Sequence, residues 1–327
     1  MTVQITIIGL GQIGTSIGLS LAKHTGIIKR VGYDRALDIQ NKAKSMGAFD
    51  EVKFNLPSAI EGADVVLLCV PLDQVEETLK NIAPDLRKDA VVMDFSPLKS
   101  VTYKWFEKHV PEGRYYIGLV PSTNPALMEQ GGIGITAASA DLFDKATIGI
   151  ASPPGAAAEA LKLADDLVNM LGAKTIFLDM LEADGMMMTT HLLPQVISAA
   201  LLNATVGQPG WVEARRFAGS SFAQVSSGIG VDPVEALVQA LLNSPQAALS
   251  SLDNAIGALT HMRAAVAKDD PADLQKRLSL AFDDREQWLN ERHRALWDVA
   301  SEKNDLPKAG DTLKRFFMGE RSKNKKK

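Results

Sequence analysis

The chain has 327 residues, of which 46% are hydrophobic and 23% are charged, and its formal net charge is −4. This length suits about two domains, and the composition is that of an ordinary globular protein. The negative charge argues against nucleic acid or an anionic membrane surface as a partner.

The sequence is not expected to carry a targeting signal or a membrane span. No basic and apolar leader precedes the first predicted strand, which starts near Val3. No apolar run approaches the roughly 18 residues that a membrane span needs. The single cysteine, Cys69, lies within the apolar stretch 65–70, where a buried and unreactive thiol is expected. We therefore expect a cytoplasmic protein that acts on a small molecule.

The first predicted element is a short apolar strand, 5–9, that leads directly into a Gly-x-Gly-x-x-Gly turn and a helix start. In such a turn Gly9 lets the strand turn sharply, Gly11 lets backbone N–H groups approach a pyrophosphate, and Gly14 lets the helix pack closely. The phosphate charge would lie at the positive end of the helix. This context predicts a dinucleotide-binding site formed by Gly9, Gly11, Gln12, Ile13 and Gly14.

A second apolar strand, 30–34, ends in Asp34, which is 20 residues beyond Gly14. A carboxylate at this distance is expected to bind the ribose 2′-hydroxyl and to repel a 2′-phosphate, so NAD is predicted to be the preferred cofactor. Arg35 follows directly, and its guanidinium could hold a 2′-phosphate instead. NADP therefore remains the alternative.

The remainder of the first half alternates short apolar strands with helical patterns. The predicted strands are 5–9, 30–34, 65–70, 91–95, 115–118, 147–151 and 175–178, and the predicted helices are 36–46, 73–82, 101–108 and 156–171. Gly172 is expected just beyond the end of the last of these helices. This alternation predicts a Rossmann-like, doubly wound parallel sheet covered by helices on both faces.

The strand signals stop near residue 181, and four helices follow, at 186–204, 233–242, 246–267 and 271–300, the last capped by Asp269 and Asp270 before Pro271. We predict a dinucleotide-binding domain at 1–181, an all-α domain at 182–318 and a disordered basic tail at 319–327. The apolar faces of 186–204 and 246–267 exceed what a small helical domain covers by itself. They predict a homodimer formed through the helical domain.

Several ordered landmarks extend over roughly residues 3–300. They are the Gly9–Ser16 turn, Asp64-Val65-Val66-Leu67-Leu68-Cys69-Val70-Pro71, Asp94-Phe95-Ser96-Pro97-Leu98-Lys99, Gly118-Leu119-Val120-Pro121, Glu182-Ala183-Asp184 and His191-Leu192-Leu193-Pro194-Gln195. Together they resemble the prephenate/arogenate dehydrogenase family, whose members make the tyrosine precursor by NAD(P)-dependent oxidative decarboxylation.

The resemblance implies roles for several residues. Val70 and Pro71 end a strand beside the nicotinamide, and Ser96 and Lys99 fall in the family's Asp-x-x-Ser-x-Lys stretch, with the serine one position early. Lys99 could steady a substrate anion or the loop near the nicotinamide, or it could be a solvated lysine at a helix start. Where the family's site loop lies, the chain offers polar groups that could bind substrate or simply form a turn: Ser122, Thr123 and Asn124.

The departures from the family pattern all fall in the substrate half. The family's proton-accepting histidine corresponds to Val120, and its substrate-binding arginine corresponds to Ser227. The two histidines of its helical motif correspond to Leu192 and Gln195. Valine cannot accept a proton, and serine cannot form a bidentate ion pair with a carboxylate. The resemblance therefore implies an intact nucleotide half and an altered substrate site.

His191 is the best remaining acid or base of the helical half. It shares a helix face with Gln195, a candidate substrate-binding residue four positions on, and points about 100° away from position 192. A structural or interface histidine is the alternative. Lys99 or Arg216 could serve a substrate carboxylate, and no spacing of cysteine, histidine and acidic residues suggests a metal site.

Three functional interpretations remain open. The first is an NAD(P)-dependent dehydrogenase of the prephenate/arogenate type. The second is a related dehydrogenase for a different small acid or cyclic alcohol. β-Hydroxyacid dehydrogenases and imine reductases share the two-domain plan, but the chain lacks the Gly-Gly-x-x-Ala-Gly loop and downstream Lys-x-x-Asn of the former. The third is a non-catalytic NAD(P)-binding dimer.

Overall fold

A computed structural model describes residues 2–128 and 132–294 of the chain. The described residues form two compact units, one that ends at Ala183 and one that begins at Asp184. The predicted basic tail, the predicted domain end at 318 and the predicted helix end at 300 lie outside the described residues.

In its described part, the first unit contains one eight-stranded sheet with the order β3-β2-β1-β4-β5-β6-β7-β8. Its strands are β1 (Val3–Ile8), β2 (Ile28–Tyr33), β3 (Glu51–Val52), β4 (Val65–Leu68), β5 (Val91–Asp94), β6 (Tyr115–Pro121), β7 (Thr147–Ala151) and β8 (Lys174–Leu178). All neighbouring strands are parallel except β6 and β7. The doubly wound sheet is confirmed, whereas the expectation of a purely parallel sheet is wrong for this one pair.

The antiparallel pairing follows from the connection between β6 and β7. The described residues of that connection contain only two short 3-10 turns, Pro125–Leu127 and Gly134–Ala137, in place of a crossover α-helix. The chain therefore returns at the end of the sheet where β6 finished, so that Pro121 pairs with Ile148. A parallel neighbour would have required a crossover to the opposite end.

Helices cover both faces of the sheet. Those of the first unit are α1 (Gln12–Ser20), α2 (Leu37–Ser45), α3 (Leu56–Ile60), α4 (Leu72–Ile82), α5 (Lys99–His109) and α6 (Ala158–Met170). Side chains of α1 and α6 pack with Ile5 and Ile7 in one core, whereas those of α4 and α5 pack with Ile8 in the other. Adjacent strand residues thus face opposite helical layers, as the period of two requires. The short elements β3 and α3 were not predicted, because they are too brief to show a period.

The strand order reverses beside β1. From β1 the chain runs outward to β2 and β3 and then returns to β4 on the opposite side of β1. The carboxyl ends of β1 and β4 therefore border the crevice in which open α/β sheets bind their ligands. Gly9 follows β1, and Val70 and Pro71 follow β4, at this edge.

The second unit is helical throughout its described residues. Its helices are the end of α7 (Met180–Met187), α8 (Leu193–Thr205), α9 (Trp211–Ala214), α10 (Ser220–Ser226), α11 (Val234–Asn243), α12 (Pro245–Ala267) and α13 (Pro271–Arg294). A π-helical turn, Met188–Leu192, joins α7 to α8. The cap of α13 is confirmed, since Asp270 Oδ1 accepts a hydrogen bond from Asp273 N at 3.0 Å. The short and polar α9 and α10 were not predicted.

One continuous helical stretch among the described residues, Met180–Thr205, is long and apolar enough to cross a membrane, and the bent pair Ser220–Gly230 and Val234–Asn243 passes the same test. The expectation that no apolar run reaches this length is therefore wrong. Only 22% of the apolar window in Met180–Thr205 is buried in the structure. Exposed apolar helix faces of this kind also mark contacts between proteins.

Candidate functional site

The turn after β1 has the backbone geometry that a dinucleotide requires. Gly9 has a φ of +93°, and a Cβ atom there would lie 2.5 Å from the carbonyl oxygen of Cys69. A Cβ at Gly14 would collide with the carbonyl oxygen of Gly9, whereas the space around Gly11 is open. The first turn of α1, which includes Gln12 and Ile13, has no side-chain cap at Gly11. Its N–H groups are thus left for an anion at the positive helix end, so these residues fit a pyrophosphate.

Asp34 lies directly after β2 and is tied to the same turn. Its Oδ2 accepts a hydrogen bond from Leu10 N at 2.8 Å, and its Oδ1 accepts one from Ala36 N at 2.9 Å. Each carboxylate oxygen keeps a second lone pair for a ribose hydroxyl. Arg35, the next residue, is exposed. The structure therefore brings the glycine turn and the acidic residue together, as the sequence predicts.

The end of β4 forms the other side of the crevice edge. Cys69 N donates a hydrogen bond to Ile8 O at 2.8 Å, Val70 is half-buried, and Pro71 immediately precedes α4. The residue Cys69 is half-buried, whereas the sequence predicts a buried thiol. Burial, together with the nearby Asp94 carboxylate, raises the pKa of the thiol, so Cys69 stays protonated and a poor nucleophile.

A buried polar cluster lies where β5 meets α5. The carboxylate Oδ2 of Asp94 accepts hydrogen bonds from Ser96 Oγ at 2.8 Å, Thr102 Oγ1 at 2.8 Å and Tyr116 OH at 3.1 Å. The Lys99 ammonium lies 3.5 Å from the same oxygen and donates to the carbonyl oxygens of Asp94, at 2.8 Å, and of Ser96. Asp94 and Lys99 are fully buried, and Ser96 is 4% exposed.

This cluster changes the interpretation of two predicted site residues. The alternative that Lys99 is a solvated lysine at a helix start is wrong, because its side chain is fully buried. Its ammonium group binds protein oxygens at the turn between β5 and α5, which favours a role in steadying this loop over direct binding of a substrate anion. Ser96 is likewise bound to Asp94 through both its backbone N–H and its hydroxyl.

The polar side chains of the predicted substrate loop after β6 bind backbone groups of the protein. Ser122 Oγ accepts a hydrogen bond from Thr147 N at 2.9 Å. The Asn124 side chain accepts a hydrogen bond from Ala126 N at 3.0 Å and donates one to Asp141 O at 3.0 Å. Thr123, between Ser122 and Asn124, is half-buried. Val120 is the half-buried strand residue opposite Gly149. Ser122 thus extends the pairing of β6 with β7, and Asn124 caps the 3-10 turn that follows. Their role toward a substrate stays a prediction.

In the second unit, His191 and Gln195 converge on one carboxylate. His191 Nε2 lies 2.7 Å from Asp232 Oδ2, and Gln195 Nε2 donates to the same oxygen at 2.7 Å. The side chains of His191 and Asp232 are 31% and 25% exposed. The shared helix face of His191 and Gln195 is thus confirmed. Asp232 was missed, because nothing local in the sequence links positions that lie 41 residues apart.

The electrostatics of this group favour an ionised carboxylate. Burial raises the pKa of Asp232, but the hydrogen bond and positive charge of His191 and the hydrogen bond from Gln195 outweigh it, so the pKa lies below its ordinary value. Leu192, the next residue after His191, is buried. Ser227 is exposed and donates its hydroxyl to Gln224 O at 2.8 Å, and Arg216 is exposed beyond α9. No group of acidic, cysteine and histidine side chains that could hold a metal occurs in the described parts of the chain.

Comparison with known proteins finds similarity to prephenate and cyclohexadienyl dehydrogenases. Residues 17–177 match the family model of the prephenate dehydrogenase nucleotide-binding domain. A cyclohexadienyl dehydrogenase from Zymomonas mobilis is 27% identical over 269 residues, which cover 82% of this chain and 89% of that protein. A prephenate dehydrogenase from Lactococcus lactis is 29% identical over 201 residues, or 61% of this chain and 53% of that protein.

This chain is therefore similar to the prephenate/arogenate dehydrogenases, in its first unit through the family model and over most of its length through the Zymomonas mobilis protein. It is an NAD(P)-dependent dehydrogenase of the prephenate dehydrogenase type, and its first unit carries the nucleotide-binding domain of that family. The fold agrees. A structure of prephenate dehydrogenase from A. aeolicus, in complex with hydroxyphenyl propionate and NAD⁺, is similar with a TM-score of 0.75 at 18% identity. The match covers 88% of this chain and 99% of the A. aeolicus chain.

Proposed function

We propose that this chain is an NAD-dependent dehydrogenase for a cyclohexadiene-type hydroxy acid related to prephenate, and that His191 accepts the proton of the substrate hydroxyl. The observation that carries the proposal is the half-exposed His191 held by an ionised carboxylate in a chain of this family. Histidine is the side chain that most often serves as a general base, and a carboxylate partner orients its ring.

The chemistry divides between the cofactor and the chain. A bound NAD⁺ would supply the acceptor for the hydride of the carbinol carbon. His191 takes the hydroxyl proton, and the O–H bonding electrons form the new carbonyl. The first turn of α1 binds the pyrophosphate, and Asp34 accepts hydrogen bonds from the ribose hydroxyls. The Lys99 and Asp94 cluster holds the loop after β5 in place.

We further propose that the substrate site is altered from the family pattern. Val120 has no basic atom and Ser227 no charge, while the Lys99 ammonium is occupied within the protein. The exposed Arg216 is the remaining candidate for a substrate carboxylate. Losing one charge-assisted hydrogen bond forfeits about 1.5–3 kcal/mol, which corresponds to roughly tenfold to hundredfold in rate. We therefore expect slower turnover of prephenate and arogenate than in a family member that has both groups.

The helical unit supports a proposal on assembly. On α12, Leu249, Ile256, Leu259 and Val266 are each 59–65% exposed although they lie on one apolar face. We propose that a second copy of the chain covers this face to form a homodimer. The exposed apolar surface of Met180–Thr205 could be covered in the same dimer. For this reason we propose a soluble cytoplasmic enzyme rather than a membrane protein.

A substrate screen tests the proposed function. NADH absorbance is followed with prephenate, arogenate and other cyclic hydroxy acids, for the wild type, for His191→Ala and for His261→Ala, an exposed histidine on α12 as control. We expect one of these acids to be oxidised, and we expect His191→Ala to lower kcat about 10²–10⁴-fold with NAD binding unchanged. Oxidation that survives His191→Ala would overturn the assignment of the base.

A double variant tests the altered site. Val120→His with Ser227→Arg restores the two groups that the family pattern contains. A gain of prephenate or arogenate oxidation would support a site that lost them while keeping its substrate class. No gain, with NAD binding intact, would mean that the site serves a different acid.

A further inference from the structure

Asp232 holds His191 through a closed set of hydrogen bonds. Its Oδ2 lies 2.7 Å from His191 Nε2 and accepts from Gln195 Nε2 at 2.7 Å. Its backbone N–H donates to Gln195 Oε1 at 3.3 Å, and Gln195 Nε2 also lies 3.2 Å from His191 O. Gln195 is only 1% exposed, so its amide is fixed by packing. The carboxylate is therefore held in one orientation toward the ring.

This arrangement selects the tautomer of the imidazole. An ionised carboxylate can only accept a hydrogen bond, so Nε2 must carry the proton that it shares with Asp232. In the neutral ring Nδ1 then holds a lone pair. Within the described residues, Nδ1 of His191 has no hydrogen-bond partner. The basic nitrogen is thus left for a group outside the protein.

The π-helical turn is an independent feature of the same site. The turn spans Met188–Leu192 and therefore contains His191. Hydrogen bonds of a π turn join residues five apart, whereas those of an α-helix join residues four apart. Single π turns inside α-helices occur frequently at functional sites. Gln195, which braces Asp232, follows in the first turn of α8.

We propose that Asp232 is the positioning residue of this dehydrogenase, fixing His191 so that Nδ1 accepts the substrate proton. The inference rests on the proposed function and assigns the atom that acts. In the step, the hydroxyl proton moves to Nδ1, the O–H electron pair becomes part of the C=O bond, and the hydride leaves for NAD⁺. The resulting imidazolium is stabilised by the Asp232 carboxylate, as in other carboxylate–histidine pairs.

The tautomer can be measured without any substrate. In protein labelled with ¹⁵N-histidine, the two ring nitrogens of His191 give distinct chemical shifts, which a His191→Gln variant assigns. The wild type is expected to show a protonated Nε2 and an unprotonated Nδ1 in its neutral form. Asp232→Asn should redistribute the proton between the nitrogens, because an amide can donate as well as accept. Asp253→Asn, an exposed acid on α12, is the control and should change neither signal.

Kinetics complete the test. Asp232→Asn should lower kcat about 10²–10⁴-fold, while KM and the Kd for NAD change less than about threefold, and Asp253→Asn should match the wild type. Equal ring signals and equal kcat in wild type and Asp232→Asn would overturn the inference. A neutral His191 protonated at Nδ1 in the wild type would also overturn it. If the wild type oxidises no cyclohexadiene acid but shows the expected tautomer, the substrate assignment fails and the pairing stands.

Discussion

The ammonium group of Lys99 lies 3.5 Å from the carboxylate of Asp94, and neither side chain is exposed to solvent. Ser96, Thr102 and Tyr116 satisfy the same carboxylate oxygen. The pair joins the end of β5 to the start of α5, next to the crevice edge of the sheet. A buried ion pair of this kind is costly to break, because the remaining charge has no water to solvate it.

Lys99→Met is predicted to destabilise the fold by about 3–5 kcal/mol, since it leaves the Asp94 carboxylate buried without its cation. Urea unfolding measures the change, with the exposed Lys104→Met as control. The double variant Asp94→Asn with Lys99→Met should recover part of the loss. If Lys99→Met were as stable as Lys104→Met, the Lys99–Asp94 ion pair would not be important for stability.

Asp34→Ser is predicted to weaken NAD binding about tenfold to hundredfold, through loss of a charge-assisted hydrogen bond to the ribose. NADP binding should weaken less or improve, because the repulsion of a 2′-phosphate is removed while Arg35 remains. Fluorescence titration of both cofactors gives the ratio, and Asp38→Ser, exposed on α2, is the control. Tighter binding of NADP than of NAD by the wild type would contradict the proposed preference.

The Arg30–Asp50 pair predicts a pH dependence of stability. Arg30 is 5% exposed and donates to both carboxylate oxygens of Asp50, at 2.7 Å and 3.2 Å. These hydrogen bonds, against an opposing effect of burial, hold the pKa of Asp50 below its ordinary value of about 3.8. A lowered folded-state pKa stabilises the protein above the unfolded-state pKa, and this contribution is lost as pH falls through the folded-state value.

Asp50→Asn should therefore be less stable than the wild type at pH 7 and at pH 5, by about 1 kcal/mol or less, because Asp50 itself is exposed and solvent screens the pair. The difference should shrink as the pH is lowered below about 4. Urea unfolding at pH 7, 5 and 3 measures it, with Asp38→Asn as the matched control. A difference that grows toward pH 3 would have the wrong sign and would exclude this linkage.

Ile256→Glu is predicted to shift the protein from dimer to monomer at low micromolar concentration, because a charge would be buried in the proposed contact without a partner. Light scattering gives the mass. Asn254→Glu places the same charge on the opposite side of α12 and should leave the dimer intact. A wild type with only the mass of a single chain would contradict the dimer proposal.

Local pattern was sufficient for the elements that define the fold class. The apolar run that leads into Gly9-Leu10-Gly11-Gln12-Ile13-Gly14 can be recognised from neighbouring residues alone. The spacing of 20 residues from Gly14 to Asp34 can be recognised in the same way. The alternation of strands and helices, the C-terminal glycine of α6 and the cap of α13 are likewise short-range features. Each of them is confirmed in the structure.

The chemical environment of the site residues was decided by the tertiary structure. Whether Lys99 is solvated or buried depends on how α5 packs against β5 and β6, which the sequence around Lys99 does not encode. The antiparallel β6–β7 pair depends on the path of a long connection, and the His191–Asp232 pair joins positions 41 residues apart. Sequence periodicity specifies which residues are buried within an element, whereas charge pairing across elements is fixed only when the chain has folded.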